Sequence, residues 1–245
     1  MRIANGVEVL EVSANIIGTV NIIYPTLIWD DDNVILIDAG FPGQLPQIRE
    51  AVESIGVSFN KLNMVILTHQ DIDHIGSVRS ILKELPNSVK ILAHEDEKPY
   101  INGEKCPIKV AKLEANLNSL PDDMKLIYEK LKAGFENAIV NVDKTLIDCE
   151  ELPYCGGIKV IFTPGHTLGH ICLYLKRSKT LIAGDMLTIE DGKLVTTKST
   201  INFDNDLNIR SLRKLTNYDI NTVICYHGGL FKDDVNYRIK ELAIS

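Results

Sequence analysis

The stretch NMVILTHQDIDHIGS, residues 63–77, decides how this chain is read. Met64 to Leu67 is an unbroken apolar run between polar neighbours, the pattern of a strand covered on both faces. His69-Gln70-Asp71-Ile72-Asp73-His74 follows, placing four side chains able to bind metal within six positions where a buried strand gives way to a loop. Imidazole and carboxylate together suit zinc, iron or manganese. On a turning loop, His69 and Asp71 can face one point while Asp73 and His74 face another. A regular strand would send Asp73 the same way as Asp71 and His74 the opposite way. A plainer reading stands beside this one: Asp73 caps a helix expected to begin near Ile75.

Three distant segments repeat the pattern of a buried strand ending in such a residue. IKVIF (158–162) leads into Thr163-Pro164-Gly165-His166 and then Thr167-Leu168-Gly169-His170. TLIAG ends at Asp185, and TVICY ends at His227, before Gly228 and Gly229. Five of the six histidines in the chain therefore belong to these segments or to the HQDIDH cluster. Strand ends along one sheet edge can gather ligands from distant sequence, and glycines at 165, 169, 184, 228 and 229 suit tight turns around them. His170 reads either as a support for the His166 loop or as a group handling substrate or protons. Tyr226, which precedes His227, is expected to point away from that ligand, and His94, Tyr100 and Tyr128 carry little catalytic expectation. Cys172, Cys225 and Trp29 read as core.

Working outward, strands are expected at Val7–Val12, Ile16–Ile23 and Pro25–Trp29. A tight turn at Asp31, Asp32 and Asn33 then leads into a hairpin partner over residues 34–40. Leu45, Ile48, Val52 and Ile55 recur at helical spacing, with Gly56 as the stop. A helix over Ile75–Leu85 ends at Pro86, and a strand is expected over 88–94. Residues 95–141 are charged and helically periodic, with Pro121, Asp122 and Asp123 opening a fresh helix. They read as a helical insertion over one rim of a single domain spanning 1–245. Strands at 158–162, 170–175, 179–184 and 221–226, with a helix at 205–217, complete a pair of packed sheets with helices outside.

Composition narrows the function. The chain has 245 residues, 45% hydrophobic and 24% charged, an ordinary globular balance. With 26 basic against 33 acidic residues and no basic block, the net charge of −7 gives no footprint for nucleic acid. The start reads as no signal peptide and no apolar run approaches a membrane span. Five cysteines without CxxC spacing argue against a disulfide framework and suit a cytoplasmic protein. Neither GxGxxG nor a P-loop is present. The expected partner is a small-molecule substrate, with neither membrane nor nucleic acid; apolar residues of the insertion leave room for a homodimer contact.

In combination and order, HQDIDH, LIDAG (36–40), TPGHTLGH (163–170), AGD (183–185) and HGG (227–229) resemble the metallo-β-lactamase fold superfamily, whose leading motif is HxHxDH, from about residue 7 to residue 240. The resemblance implies an α/β fold, a four-layered αβ/βα sandwich, with two divalent metal ions in a cleft along the sheet edges. It implies His69, Asp71 and His166 at one metal, Asp73, His74 and His227 at the other, and Asp185 between them. Asp38 in LIDAG would support the site without ligating, accepting a hydrogen bond from a ligand histidine or ordering the loop. Zinc is the first expectation. The departure is Asp71, where most hydrolytic members have histidine. Its extra negative charge should depress the bound water's pKa less and favour harder metals such as manganese or iron.

The chemistry so implied is attack by a metal-bridging hydroxide, with Asp73 doubling as ligand and proton acceptor. TPGHTLGH with a helical insertion resembles the lactonase, thioesterase and glyoxalase II-like branches, so a carboxylic ester, lactone or thioester is the first substrate class. The segment beyond His227 is expected to be too short for the helical domain of glutathione thioesterases, and β-lactam hydrolysis is disfavoured by the lack of an export signal. A phosphodiesterase, a metal-linked redox or dioxygenase-type enzyme, and a non-catalytic metal-binding interaction module are the alternatives, in that order.

Overall fold

The computed structural model describes residues 1–16, 19–86 and 89–244. Seven strands form the first sheet: β1 (Arg2–Ala4), β2 (Val7–Val9), β5 (Thr26–Trp29), β6 (Val34–Ile37), β7 (Met64–Ile66), β8 (Lys90–His94) and β9 (Lys144–Leu146), hydrogen-bonded in that order. Between β2 and β5, β3 (Val12–Ile16) and β4 (Thr19–Ile23) pair as a separate antiparallel ribbon. The second sheet holds β10 (Glu151–Leu152), β11 (Ile158–Phe162), β12 (Ile171–Leu175), β13 (Thr180–Ile182), β16 (Thr222–Cys225) and β17 (Gly229–Phe231). A two-stranded ribbon, β14 (Leu187–Glu190) and β15 (Lys193–Thr196), lies between β13 and β16 in sequence.

The period of two along each strand sorts these residues into layers. In β6, Val34 and Leu36 face outward onto helices α1 (Leu45–Ser54), α2 (Ile72–Ile75), α3 (Val78–Glu84) and α6 (Asp122–Ala138), through Ile48, Ile75, Ile81 and Phe135. Ile35 and Ile37 face inward, onto Val160, Leu173 and Ile224 of the second sheet. That sheet's outer face, including Ile161, Leu181 and Val223, packs on Leu212 of α7 (Asn205–Leu215) and Ile239 of α8 (Val235–Ile244). Helix, sheet, sheet, helix is the four-layered αβ/βα sandwich. Two short helices, α4 (Lys98–Ile101) and α5 (Ile108–Glu114), precede α6 in the stretch between β8 and β9. Among the described residues no helix is long and apolar enough to cross a membrane.

Several expected boundaries move. The strand expected over Val7–Val12 changes partner at Glu11, because Pro25 has no N–H with which to extend the β2–β5 ladder. Residues 17, 18 and 88, within the strands expected over 16–23 and 88–94, lie outside the described residues. The helix expected from Ile75 begins at Ile72 and breaks at Gly76-Ser77. A Cβ at Gly76 would lie 2.3 Å from Pro42 N, and Ser77 Oγ donates to Phe41 O (2.6 Å) while accepting from Gln44 N (3.1 Å). The break thus locks the motif's helix to the start of α1. β14–β15 adds a hairpin beyond the expected strands, and LTIE-DG-KLVT carries the strongest short hairpin signal, with Asp191 (φ 49°) and Gly192 (φ 74°) both left-handed.

Parallel pairing of β6, β7 and β8 brings their C-terminal ends to one edge, and parallel β13 and β16 do the same in the second sheet. The two edges are joined directly: Ile171 N–H donates to Thr68 O (3.0 Å) and Tyr24 N–H to Tyr226 O (3.0 Å). Ile35 is fully buried between the sheets. Ile35→Ala is therefore expected to lower unfolding stability by about 2–5 kcal/mol in urea, whereas Val20→Ala, at a site 69% exposed, should change it by less than about 0.5 kcal/mol.

Candidate metal centre

After β7 the chain turns at once. Asp71 occupies the N-cap position of α2 (φ −62°, ψ 147°), yet its side chain makes no capping hydrogen bond. Its carboxylate turns inward, with Oδ2 3.2 Å from His69 Nε2 and 3.0 Å from His166 Nε2. Asp73 and His74 lie inside the single turn of α2 and aim elsewhere: Asp73 Oδ2 is 3.1 Å from His227 Nε2 and 3.6 Å from His74 Nε2. Asp73 is therefore not the cap of a later helix.

Asp185 joins the two groups. Its Oδ2 faces His166 Nε2 (3.4 Å) and His69 Nε2 (3.9 Å), while its Oδ1 faces His74 Nε2 (3.3 Å) and His227 Nε2 (3.6 Å). Donor atoms of His69, Asp71, His166 and Asp185 all lie within 4.8 Å of one another, as do those of Asp73, His74 and His227. All seven residues read from the sequence meet at this one place.

The ring nitrogens show what the centre is built to hold. Thr68 Oγ1 spends its only proton on Asp38 Oδ2 (2.8 Å), so it accepts from His69 Nδ1 (3.0 Å). His74 Nδ1 donates to Asp38 Oδ2 (2.9 Å), and His166 Nδ1 to Asn202 Oδ1 (3.0 Å). With Nδ1 tied outward, Nε2 is the nitrogen each ring aims inward, as a metal ligand requires. His74 Nε2 and Asp185 Oδ1 are buried and meet at 3.3 Å as an ion pair, but neither makes a well-directed hydrogen bond. Two buried ligand atoms held together mainly by charge fit divalent cations, and the donor set forms a binuclear metal-binding site.

A sequence profile of the metallo-beta-lactamase superfamily matches residues 18–227. The chain belongs to that superfamily. The probable metallo-hydrolase YflN of Bacillus subtilis (strain 168) is 31% identical over 71% of this chain and 63% of its own length. The hydroxyacylglutathione hydrolase of Buchnera aphidicola subsp. Schizaphis graminum is 27% identical over 82% of this chain and 63% of its own. The match thus spans less than two thirds of either relative. A metallo-beta-lactamase family protein of Thermus thermophilus superposes with a TM-score of 0.77 at 22% identity, covering 99% of this chain and 80% of the other.

Around this metallo-beta-lactamase centre stand supports of two kinds, those read from the sequence and those not. Asp38 sits in the left-handed region (φ 60°), where a non-glycine residue costs roughly 1–2 kcal/mol. That conformation lets one carboxylate accept from Thr68 N (2.8 Å), Thr68 Oγ1 and His74 Nδ1. His170 has both nitrogens engaged: Asp185 N–H donates to Nε2 (3.0 Å), which leaves the proton on Nδ1 to face Thr163 Oγ1 (2.9 Å). Burial first, then the neighbouring His69 and His166, hold His170 well below the ordinary imidazole range, so it stays neutral. A Cβ at Gly184 (φ 51°) would lie 2.6 Å from His170 Nε2, so glycine is needed there.

Tyr226 has a supporting role beyond its position before His227: its ring lies 3.9 Å from that of His74, and its hydroxyl donates to Asp73 O (2.5 Å) while accepting from Gly40 N (3.2 Å). Alternation along β16 sends Cys225 to the outer layer and Tyr226 beneath the centre. His94 stands apart, stacked on Phe162 with centroids 4.2 Å apart, and Tyr128 is buried against Glu114 (2.9 Å).

Sequence reasoning missed Glu97, Asn202 and Lys109. Glu97 is fully buried and accepts four hydrogen bonds: Gln70 N (2.8 Å) and Nε2 (3.0 Å) on one oxygen, Thr167 Oγ1 (2.7 Å) and Gly169 N (2.6 Å) on the other. It stitches the HQDIDH loop to TPGHTLGH. Burial dominates its titration and raises its pKa against those hydrogen bonds. Lys109 reaches Asp71 Oδ2 at 2.5 Å.

Electrostatics fix the ligands' charge states in the metal-free chain. Burial disfavours the Asp71 carboxylate, but Lys109 and the hydrogen bonds from His166 and His69 outweigh it and hold the group well below the usual range. Burial likewise opposes charge on His74, yet Asp38, Asp185 and Asp73 raise it well above the ordinary value. The same contest at His227 goes the same way: burial resists the charge, but Asp185 and Asp73 push its pKa up to about 10. Both imidazoles therefore carry protons at neutral pH, and a metal must displace them. Zinc uptake is expected to release protons, seen as binding heats that vary with buffer ionisation enthalpy, and to weaken as the pH falls. Heats independent of buffer would contradict these charge states.

Proposed function

We propose that the chain is a metal-dependent hydrolase of a carboxylic ester, lactone or thioester, working through two divalent cations. The observation that carries this reading is the division of Asp185, with one carboxylate oxygen facing each donor cluster. His69, Asp71 and His166 would hold one cation and Asp73, His74 and His227 the other. Zinc is the first choice, and the carboxylate of Asp71 tilts preference toward manganese or iron. Bound there, the cations supply an acidified water nucleophile and electrophilic polarisation of the scissile group.

The chain's own residues do the rest. Of the three aspartates, Asp73 is the most open, its side chain 15% exposed against 4% for Asp71 and 6% for Asp185. Burial works against its charge, but His74 and His227 outweigh that and lower its pKa, so Asp73 is ionised at neutral pH. It is the carboxylate placed to take up a proton from the substrate side. His227, 38% exposed at its side chain, marks the mouth of the cleft, while Asp38, His170 and Glu97 hold the ligands still. A hydroxyacylglutathione hydrolase among the relatives supports an acyl substrate over a phosphodiester. Five free thiols accord with a reducing, cytoplasmic setting.

The test is turnover of lactones, thioesters and bis-p-nitrophenyl phosphate by the full chain, with and without chelator. Acyl hydrolysis is expected, falling more than about 100-fold on chelation and in Asp185→Ala. Turnover of the phosphodiester alone would replace the acyl reading with a phosphodiesterase. Tight binding of two metals with no turnover across the panel would favour a metal-binding module.

A further inference from the structure

Lys109 is the one lysine that reaches the donor cluster among the described residues, and the sequence shows why one is needed. Where HxHxDH would place a neutral imidazole, this chain has the carboxylate of Asp71. That exchange adds one unit of negative charge to a buried centre, where charge is weakly screened. The ammonium of Lys109 lies 2.5 Å from Asp71 Oδ2, the same oxygen that faces His69 and His166.

Lys109 is delivered there by structure. It is the second residue of α5, and the preceding Ile108 N–H donates to Gln70 Oε1 (3.2 Å). Gln70 is in turn held by Glu97 through both its backbone N–H and its Nε2. Next along α5, Val110 is buried against the outer helices. Two consecutive residues of α5, Ile108 and Lys109, thus tie the helix to the motif loop, while Val110 anchors it in the core.

We propose that the Asp71–Lys109 pair acts as a single unit in place of the missing histidine: Asp71 supplies the ligand oxygen, and Lys109 is a positioning residue that balances the added negative charge and sets the affinity of the adjacent metal site. This rests on the two-cation reading above. Relative to a histidine alone, the pair is neutral; Lys109→Met leaves it one unit negative, Asp71→His one unit positive, and the double variant neutral again. Zinc affinity should follow that charge.

The measurement is zinc binding to the metal-free full chain in competition with a chromogenic chelator, with folding checked by circular dichroism. Lys109→Met is expected to bind zinc at least about tenfold more tightly than the wild type in one of the two binding steps, and Asp71→His more weakly by a similar factor. Asp71→His/Lys109→Met should recover affinity toward the wild type, and Lys109→Arg should stay within about threefold of it. A lysine that merely packs would give Lys109→Met a lower melting temperature with zinc affinity unchanged or weaker, and either result overturns the proposal. If Lys109→Met does not fold, the decision passes to Asp71→His: zinc binding in that variant no weaker than in the wild type overturns the proposal. Failure of the wild type itself to bind two zinc ions would instead remove the two-cation reading.

Discussion

Three carboxylates cannot share a dry pocket unless positive charge sits among them. Asp71, Asp73 and Asp185 converge with their side chains 4–15% exposed, close enough to lie against the same imidazoles. Each aspartate would repel the others across a few ångströms of weakly polar surroundings. In the metal-free chain the compensation comes from histidines held in their charged form and from Lys109. Those protons are temporary occupants. His74 Nε2 and Asp185 Oδ1 face each other at 3.3 Å as an ion pair without a well-directed hydrogen bond, an arrangement that a cation between them would replace.

The sandwich exists in the form that makes this convergence possible. Parallel strands place successive chain reversals at one edge, so residues 38, 69, 185 and 227 arrive together from opposite halves of the sequence. The left-handed Asp38 and the glycine at 184 are local departures from comfortable backbone, retained where they hold a ligand in place. The same edge carries the hydrogen bonds that close one sheet on the other, through Thr68 O and Tyr226 O. Stability and site geometry therefore share the same few residues.

Legibility from sequence followed the range of the interactions. HQDIDH announced itself because its four ligands are neighbours, and His166, Asp185 and His227 because each ends an apolar run. Asp191-Gly192 was equally legible as a hairpin turn and simply lay outside the stretches read as strands. Lys109 and Glu97 were not legible: both sit in a charged helical stretch, where a lysine and a glutamate look like solvent-facing residues. Only the tertiary fold puts Glu97 in the dark between two loops and Lys109 against Asp71. The support that Tyr226 gives the site was not legible, because alternation speaks only to its neighbour His227, and the decisive contact is with His74 one motif away. What one strand's period cannot show is which other element lies beneath it.

The stretch between β8 and β9 is thereby more than a cover. Through Gln70 it grips the motif loop, and through Glu97 it joins that loop to the one bearing His166. The most direct test of the central claim is anomalous diffraction from crystals of the full chain grown with zinc. Two peaks about 3.5–4 Å apart, separated by the Asp185 carboxylate, are expected, one beside His69 and His166 and the other beside His74 and His227. A single peak elsewhere, or none at zinc saturation, would contradict the account.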